Sequence, residues 1–129
     1  MKRKSEVEIR IHVGQKGYSG IVTYIAPDGE RTKRVFRREN SGKDSMNKMG
    51  ITSITQALEM LKQSCSIKIY TNCGFVKGAI RQRWPIKWLK NDWKKDSGEP
   101  IRNRSEWIYL FELLGKHDYT FEEDEDEKI

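Results

Sequence analysis

Cysteine, histidine and proline are scarce in this chain, and no long apolar run interrupts its 129 residues. The two cysteines, Cys65 and Cys73, lack paired metal-ligand spacing and lie on either side of a predicted strand. Only His12 and His117 could supplement them, so no zinc site is expected. Two free, partly buried thiols in a reducing compartment are expected instead, which points to the cytoplasm. The stretch 49–58 carries no charge but has only about half of the ~20 residues needed to cross a membrane. The start, MKRKSEVE, is basic with no hydrophobic stretch after it, and does not read as a signal peptide.

What is abundant is charge. Charged residues make up 34% and hydrophobic ones 36%, as expected for one domain with an economical core and a heavily ionised surface. The net charge of +6 is unevenly spread. Residues 116–129 hold two basic against seven acidic side chains, a balance of −5, which leaves +11 on residues 1–115. A body that basic attracts polyanions and binds them with strong salt dependence.

Alternation of Val7, Ile9, Ile11 and Val13 with Glu8, Arg10 and His12 predicts a strand with one polar face. The three glycines of 14–20 predict a turn, and 21–25 and 31–38 are further strands separated by Pro27-Asp28-Gly29. Asp44 or Ser45 caps a helix running to about 63. Residues 67–71 suit a central buried strand, and 74–84 a helix. Pro85 starts or kinks another helix holding Trp88 and Trp93. Helix 105–114 ends at Gly115, and 119–121 forms a last strand. The order β-β-β-α-β-α-α-α-β describes an α/β fold, a mixed five-stranded sheet with flanking helices, over 1–121. The acidic tail 122–129 lacks core-forming residues and is expected to be disordered.

The segment 67–107 pairs a short apolar strand with a basic stretch carrying all four tryptophans. Trp84, Trp88 and Trp93 recur at intervals of four and five, Lys94 follows, then Pro100-Ile101-Arg102-Asn103 and Trp107. This combination resembles the basic handle of the type I ribonuclease H family. Val7-Glu8-Ile9, Tyr18-Ser19-Gly20-Ile21 and Asn47-Lys48-Met49 resemble, more loosely, that family's first strand, second strand and first helix. The resemblance spans roughly 7–121 and implies the ribonuclease H fold.

The family's chemistry uses four carboxylates converging on two Mg²⁺ (or Mn²⁺) ions to cleave RNA in an RNA–DNA hybrid. By the resemblance, the first-strand aspartate falls on His12, the helix glutamate on Gly50 and the aspartate after the fourth strand on Asn72. The fourth carboxylate belongs to a region with no counterpart here. Hard divalent cations favour charged oxygen ligands, so no bound metal and no catalytic residue is expected.

The binding surface is better kept. The resemblance places Trp84 and Trp88 against a DNA strand, with Trp93 in the same handle. Lys87, Lys90, Lys94, Lys95 and Arg102 suit phosphate contacts that carry no sequence information. Ser45 and Asn103 correspond to a small polar pocket for a DNA phosphate; Lys48 replaces an arginine nearby, and Asn47 corresponds to an amide on the RNA side. The expected function is a catalytically inactive domain binding RNA–DNA hybrid or another duplex, with no small-molecule substrate. The alternatives are a hybrid ribonuclease with a rearranged metal site, and a protein-interaction scaffold. The acidic tail is expected to serve as a docking element for a protein partner.

Overall fold

The computed structural model describes residues 4–123. From 124 onward the acidic tail, with its expected disorder, lies outside the described residues. Three antiparallel strands open the chain: β1 (Ser5–Gly14), β2 (Gly17–Ile25) and β3 (Arg31–Glu39). Helix α1 (Met46–Glu59) leads to β4 (Cys65–Thr71). Then come α2 (Gly74–Arg81), α3 (Trp84–Lys90), α4 (Arg104–Leu114) and β5 (Asp118–Phe121). The sheet order is β3-β2-β1-β4-β5, with β4 parallel to both β1 and β5. This is the mixed five-stranded architecture expected of the element order.

Strict alternation on β1 sends Val7, Ile9, Ile11 and Val13 into the core beside Ile67 and Ile69 of β4. Helix α1 covers that face. Its Ile51, Ile54, Ala57 and Leu58 are fully buried between the sheet and α4. The hydroxyls of Ser53 and Thr55, buried with them, donate to the Gly50 and Ile51 carbonyls one turn back and so need no outside partner. The opposite sheet face is polar. There the Arg10 guanidinium lies 3.9 Å from the Tyr70 ring centroid, and Glu8 receives Arg31 at 3.3 Å.

Several details depart from the sequence reading. Residues 14–20 are not one turn, because Gly17 already begins β2 and only Gln15 and Lys16 form the connection. Gly20 is a packing glycine: a β-carbon there would lie 2.3 Å from the Phe36 ring. Helix α1 stops at Glu59 rather than near 63, its end tightened by Met60 N–H to Ala57 O and Leu61 N–H to Leu58 O. That turn returns the chain to start β4 at Cys65. Strand β4 is interior to the sheet but buried on one face only, since Ser66 and Lys68 are exposed. Trp93 lies beyond α3, in an irregular turn with φ 57°.

Candidate nucleic-acid interface

The register that pairs Ile11 with Thr71 sets His12 beside Asn72 at the carboxyl ends of β1 and β4. Asn72 continues the sheet with its side chain. Val13 N–H donates to Asn72 Oδ1 at 2.7 Å, and Asn72 Nδ2 donates to Val13 O at 2.9 Å. A backbone donor and a backbone acceptor together fix the orientation of the amide. Gly50, on α1, packs against the side chain of buried Cys73, the next residue along from Asn72. Gly50 and Asn72 are therefore brought close through Cys73, whereas the exposed His12 side chain lies on the polar face of the sheet, away from the face that α1 covers.

Those residues do not fit a two-magnesium centre. Glycine supplies no ligand, the amide oxygen is neutral and already accepts a hydrogen bond, and imidazole is a poor partner for a hard cation. Glu122 and Glu123 do not make up the deficit. The Glu122 carboxylate accepts from the Thr120 hydroxyl at 2.8 Å. Glu123 is held on α2 by Lys77 at 2.9 Å and Arg81 at 2.8 Å. Hydrogen bonds from Lys77 and then Arg81 keep the Glu123 carboxyl below its ordinary pKa. Among the described residues, no three His, Cys, Asp or Glu side chains gather as a metal site.

The handle is built around an aromatic cluster. Trp88 lies 6.0 Å from Trp84, 6.3 Å from Trp93 and 5.3 Å from Trp107, centroid to centroid. Phe75 of α2 touches Trp84 and Trp107, and Phe111 of α4 touches Trp93. Mostly edge-on and tilted, these contacts have the geometry aromatic pairs favour. Trp107 is 1% exposed and its indole N–H has no acceptor among the described residues. Trp93, expected at the interface, is 6% exposed and holds the cluster from within. Trp84 and Trp88 are half-buried, so part of each ring meets solvent.

Beyond the cluster the chain makes a small hairpin. Lys94 bridges Pro100, Lys95 N–H donates to Glu99 O at 2.7 Å, and Ile101 N–H donates to Trp93 O at 3.2 Å. Arg83, Asp92, Trp93 and Asn103, at the ends of α3 and before α4, all adopt left-handed φ, between 55° and 61°. Such backbone is costly for non-glycine residues and persists where the surroundings impose it. Lys87 and Lys90 on α3, and Lys95 and Arg102 after it, are all exposed. Lys94 approaches Asp92 at 3.7 Å.

The expected phosphate pocket falls at two helix starts. Ser45 caps α1, its Oγ accepting from Lys48 N–H at 3.1 Å and satisfying one of the N–H groups left free at the helix start. Asn103 precedes α4 and makes no capping bond with its side chain. Helices α1 and α4 pack on each other. Asn47 is half-buried, and Lys48 is partly neutralised by Asp44 at 3.4 Å. Lys77 and Arg81 were missed as charged contacts in the sequence, although their spacing of four on a helix is the signal that places them together.

The fold and the placement of these residues define a ribonuclease H-like domain. A sequence model of the RNase H family matches residues 11–123, and the chain therefore belongs to the ribonuclease H family. It is 36% identical over 105 residues to ribonuclease H of Clostridium botulinum, covering 81% of this chain and 67% of that protein. It is also 36% identical over 111 residues to ribonuclease H of Caldicellulosiruptor saccharolyticus, covering 84% and 71%. Among solved structures it is similar to LC9-RNase H1, a type 1 RNase H with the type 2 active-site motif. The TM-score is 0.80 at 16% identity, over 96% of this chain and 64% of that one. The foamy viral protease-reverse transcriptase in complex with RNA/DNA hybrid superposes with a TM-score of 0.64 at 12% identity, over 97% of this chain and 18% of that one. The chain thus spans about two thirds of the length of ribonuclease H relatives such as that from Clostridium botulinum.

Proposed function

We propose that this chain is a catalytically inactive ribonuclease H-like domain that binds a nucleic-acid duplex, with RNA–DNA hybrid the first candidate. The observation that carries the reading is the Asn72–Val13 pair beside the closed Gly50 position. Groups that would have to turn toward metal ions are instead committed to the sheet and the core. No metal cofactor is part of this proposal. Binding rests on Lys87, Lys90, Lys95 and Arg102 around the exposed edges of Trp84 and Trp88, with Ser45 and Asn103 taking a phosphate at the helix starts. No helix among the described residues is long and apolar enough to cross a membrane, and a cytoplasmic setting is part of the same proposal.

The test is a salt titration of binding to hybrid, dsDNA, dsRNA and single strands, with a cleavage readout in Mg²⁺ and Mn²⁺. The expected outcome is duplex binding that weakens linearly in log salt, with no cleavage. Cleavage abolished by Asn72→Ala would establish a rearranged nuclease site. Absence of salt-dependent retention on any nucleic acid, together with a stable protein partner, would establish a scaffold.

The start of the acidic segment supports a second element of the proposal. Glu123 already spans Lys77 and Arg81 on α2, the helix leading into the handle. We read the acidic segment as a competitor for basic surface and a protein-docking element. Removing residues 122–129 should tighten duplex binding at low salt, and unchanged affinity would remove this element.

A further inference from the structure

A second cationic cleft lies outside the handle, at the turn end of the β1–β2 hairpin. It has a volume of about 450 Å³, and His12, Lys16, Ser19, Arg37 and Arg38 line it. Three separate segments build it. In the sheet, His12 pairs with Ser19 and Ser19 with Arg37, so these three side chains form one row across β1, β2 and β3 on the polar face. Arg38 comes from the adjacent position of β3, opposite Tyr18, and Lys16 from the turn.

The backbone around the cleft is tightly placed. A β-carbon on Gly17 would sit 2.1 Å from Arg38 O, so only glycine lets the turn approach β3 this closely. Asn40 ties the turn down from the other side. Its N–H donates to Lys16 O at 2.8 Å, and its Nδ2 donates to Gln15 O at 3.2 Å. Glu39 also lines the cleft, one carboxylate against the permanent cations Lys16 and Arg37. Charge on β3 alone could be explained as protection of an edge strand. Edge protection does not require His12 and Lys16 to line one concave site with Arg37, while Arg38, whose side chain leaves β3 on the other face, closes the cleft with its backbone beside Gly17.

We propose that this cleft binds a backbone phosphate of the duplex, a contact separate from the handle. It rests on the nucleic-acid reading above and deepens it. His12 stands where the family resemblance implies a metal-binding aspartate, so the charge of this region is inverted. Phosphate oxygens that a carboxylate would repel are met directly by guanidinium and ammonium groups, with the Ser19 hydroxyl as a further donor.

The test compares the native chain with an Arg37→Gln/Arg38→Gln variant and a Lys90→Gln/Lys95→Gln variant, by salt titration on one hybrid duplex. His12 imidazole resonances are followed by NMR in parallel, with duplex and with inorganic phosphate. Losing the two arginines should weaken binding roughly tenfold or more at low salt and lower the log–log salt slope by about 1–2. Duplex should shift the His12 resonances in the native chain more than inorganic phosphate does, and this shift should vanish in the arginine variant. Unchanged affinity and slope in the arginine variant, with weakening in the lysine variant, would overturn this proposal and leave the duplex-binding reading intact. Inorganic phosphate bound more tightly than duplex would overturn the backbone assignment. No binding of duplex by the native chain would overturn both readings.

Discussion

A β-carbon added to Gly50 would lie 2.4 Å from Cys73 Sγ and 2.9 Å from Cys73 Cβ. The thiol fills the space through which a side chain at position 50 would have to leave α1. Restoring a glutamate therefore means more than restoring a charge. Gly50→Glu should destabilise the fold by about 3 kcal/mol or more, through overpacking and burial of a carboxylate. Adding Cys73→Ala should recover only part of this, because the Cβ remains in place. Urea denaturation of the single and double variants checks both expectations.

Asn72→Asp tests the neighbouring position. The aspartate can still accept from Val13 N–H but cannot donate to Val13 O while ionised. It would instead hold an anion against a carbonyl oxygen. A loss of about 1 kcal/mol is expected, at the low end because the site is partly exposed. The variant should gain no cleavage of hybrid in Mg²⁺, measurable with a labelled substrate.

Trp88 contacts three other tryptophans and should behave as a core residue despite its half-exposed position. Trp88→Ala should cost about 3 kcal/mol, the low end for a large aromatic truncation. Trp84→Ala, which loses the contacts with Phe75 and Trp88, should cost less. Thermal or urea unfolding of the two variants gives the ranking.

His117 predicts a pH dependence. Its Nδ1 accepts from Cys65 N–H at 3.0 Å, which requires that nitrogen to be unprotonated. Burial first, then the nearby Lys116 and Lys4 charges, hold its pKa below the ordinary imidazole value. The unfolded chain therefore binds the proton more readily than the folded one. This contribution to stability is fully present above about pH 6.5 and is lost as pH falls through the depressed folded pKa. Urea midpoints should decline over that range in the native chain and decline less in His117→Asn.

Asp92 holds a left-handed backbone, with φ 55°, and its side chain makes only an exposed ion pair. Asp92→Gly should stabilise the fold by up to about 1 kcal/mol, since glycine adopts this conformation without steric cost. A lower denaturation midpoint would show that the Lys94 contact outweighs the strain.

Much of the fold was legible because the signals are local. Period-two alternation on β1 and the Ser45 cap of α1 each depend on residues a few positions apart, and both hold in three dimensions. Gly20 misled for a clear reason: glycine marks turns and close approaches alike, and the Phe36 ring it admits lies on another strand. The end of α1 was overrun because helical propensity does not report the need to begin β4 at Cys65.

The candidate site divides along the same line. By itself the sequence determined the spacing of the four tryptophans, the excess of cations before the acidic tail, and that His12, Gly50 and Asn72 stand where the family resemblance implies carboxylates. Only the tertiary structure decided that Trp93 is buried, that Cys73 closes Gly50, that Asn72 completes the sheet, and that Arg37 and Arg38 share a cleft with His12. Spacing along a chain specifies what each residue can offer. Which offers are used depends on contacts between residues far apart in sequence, and those form only when the sheet and helices close on one another.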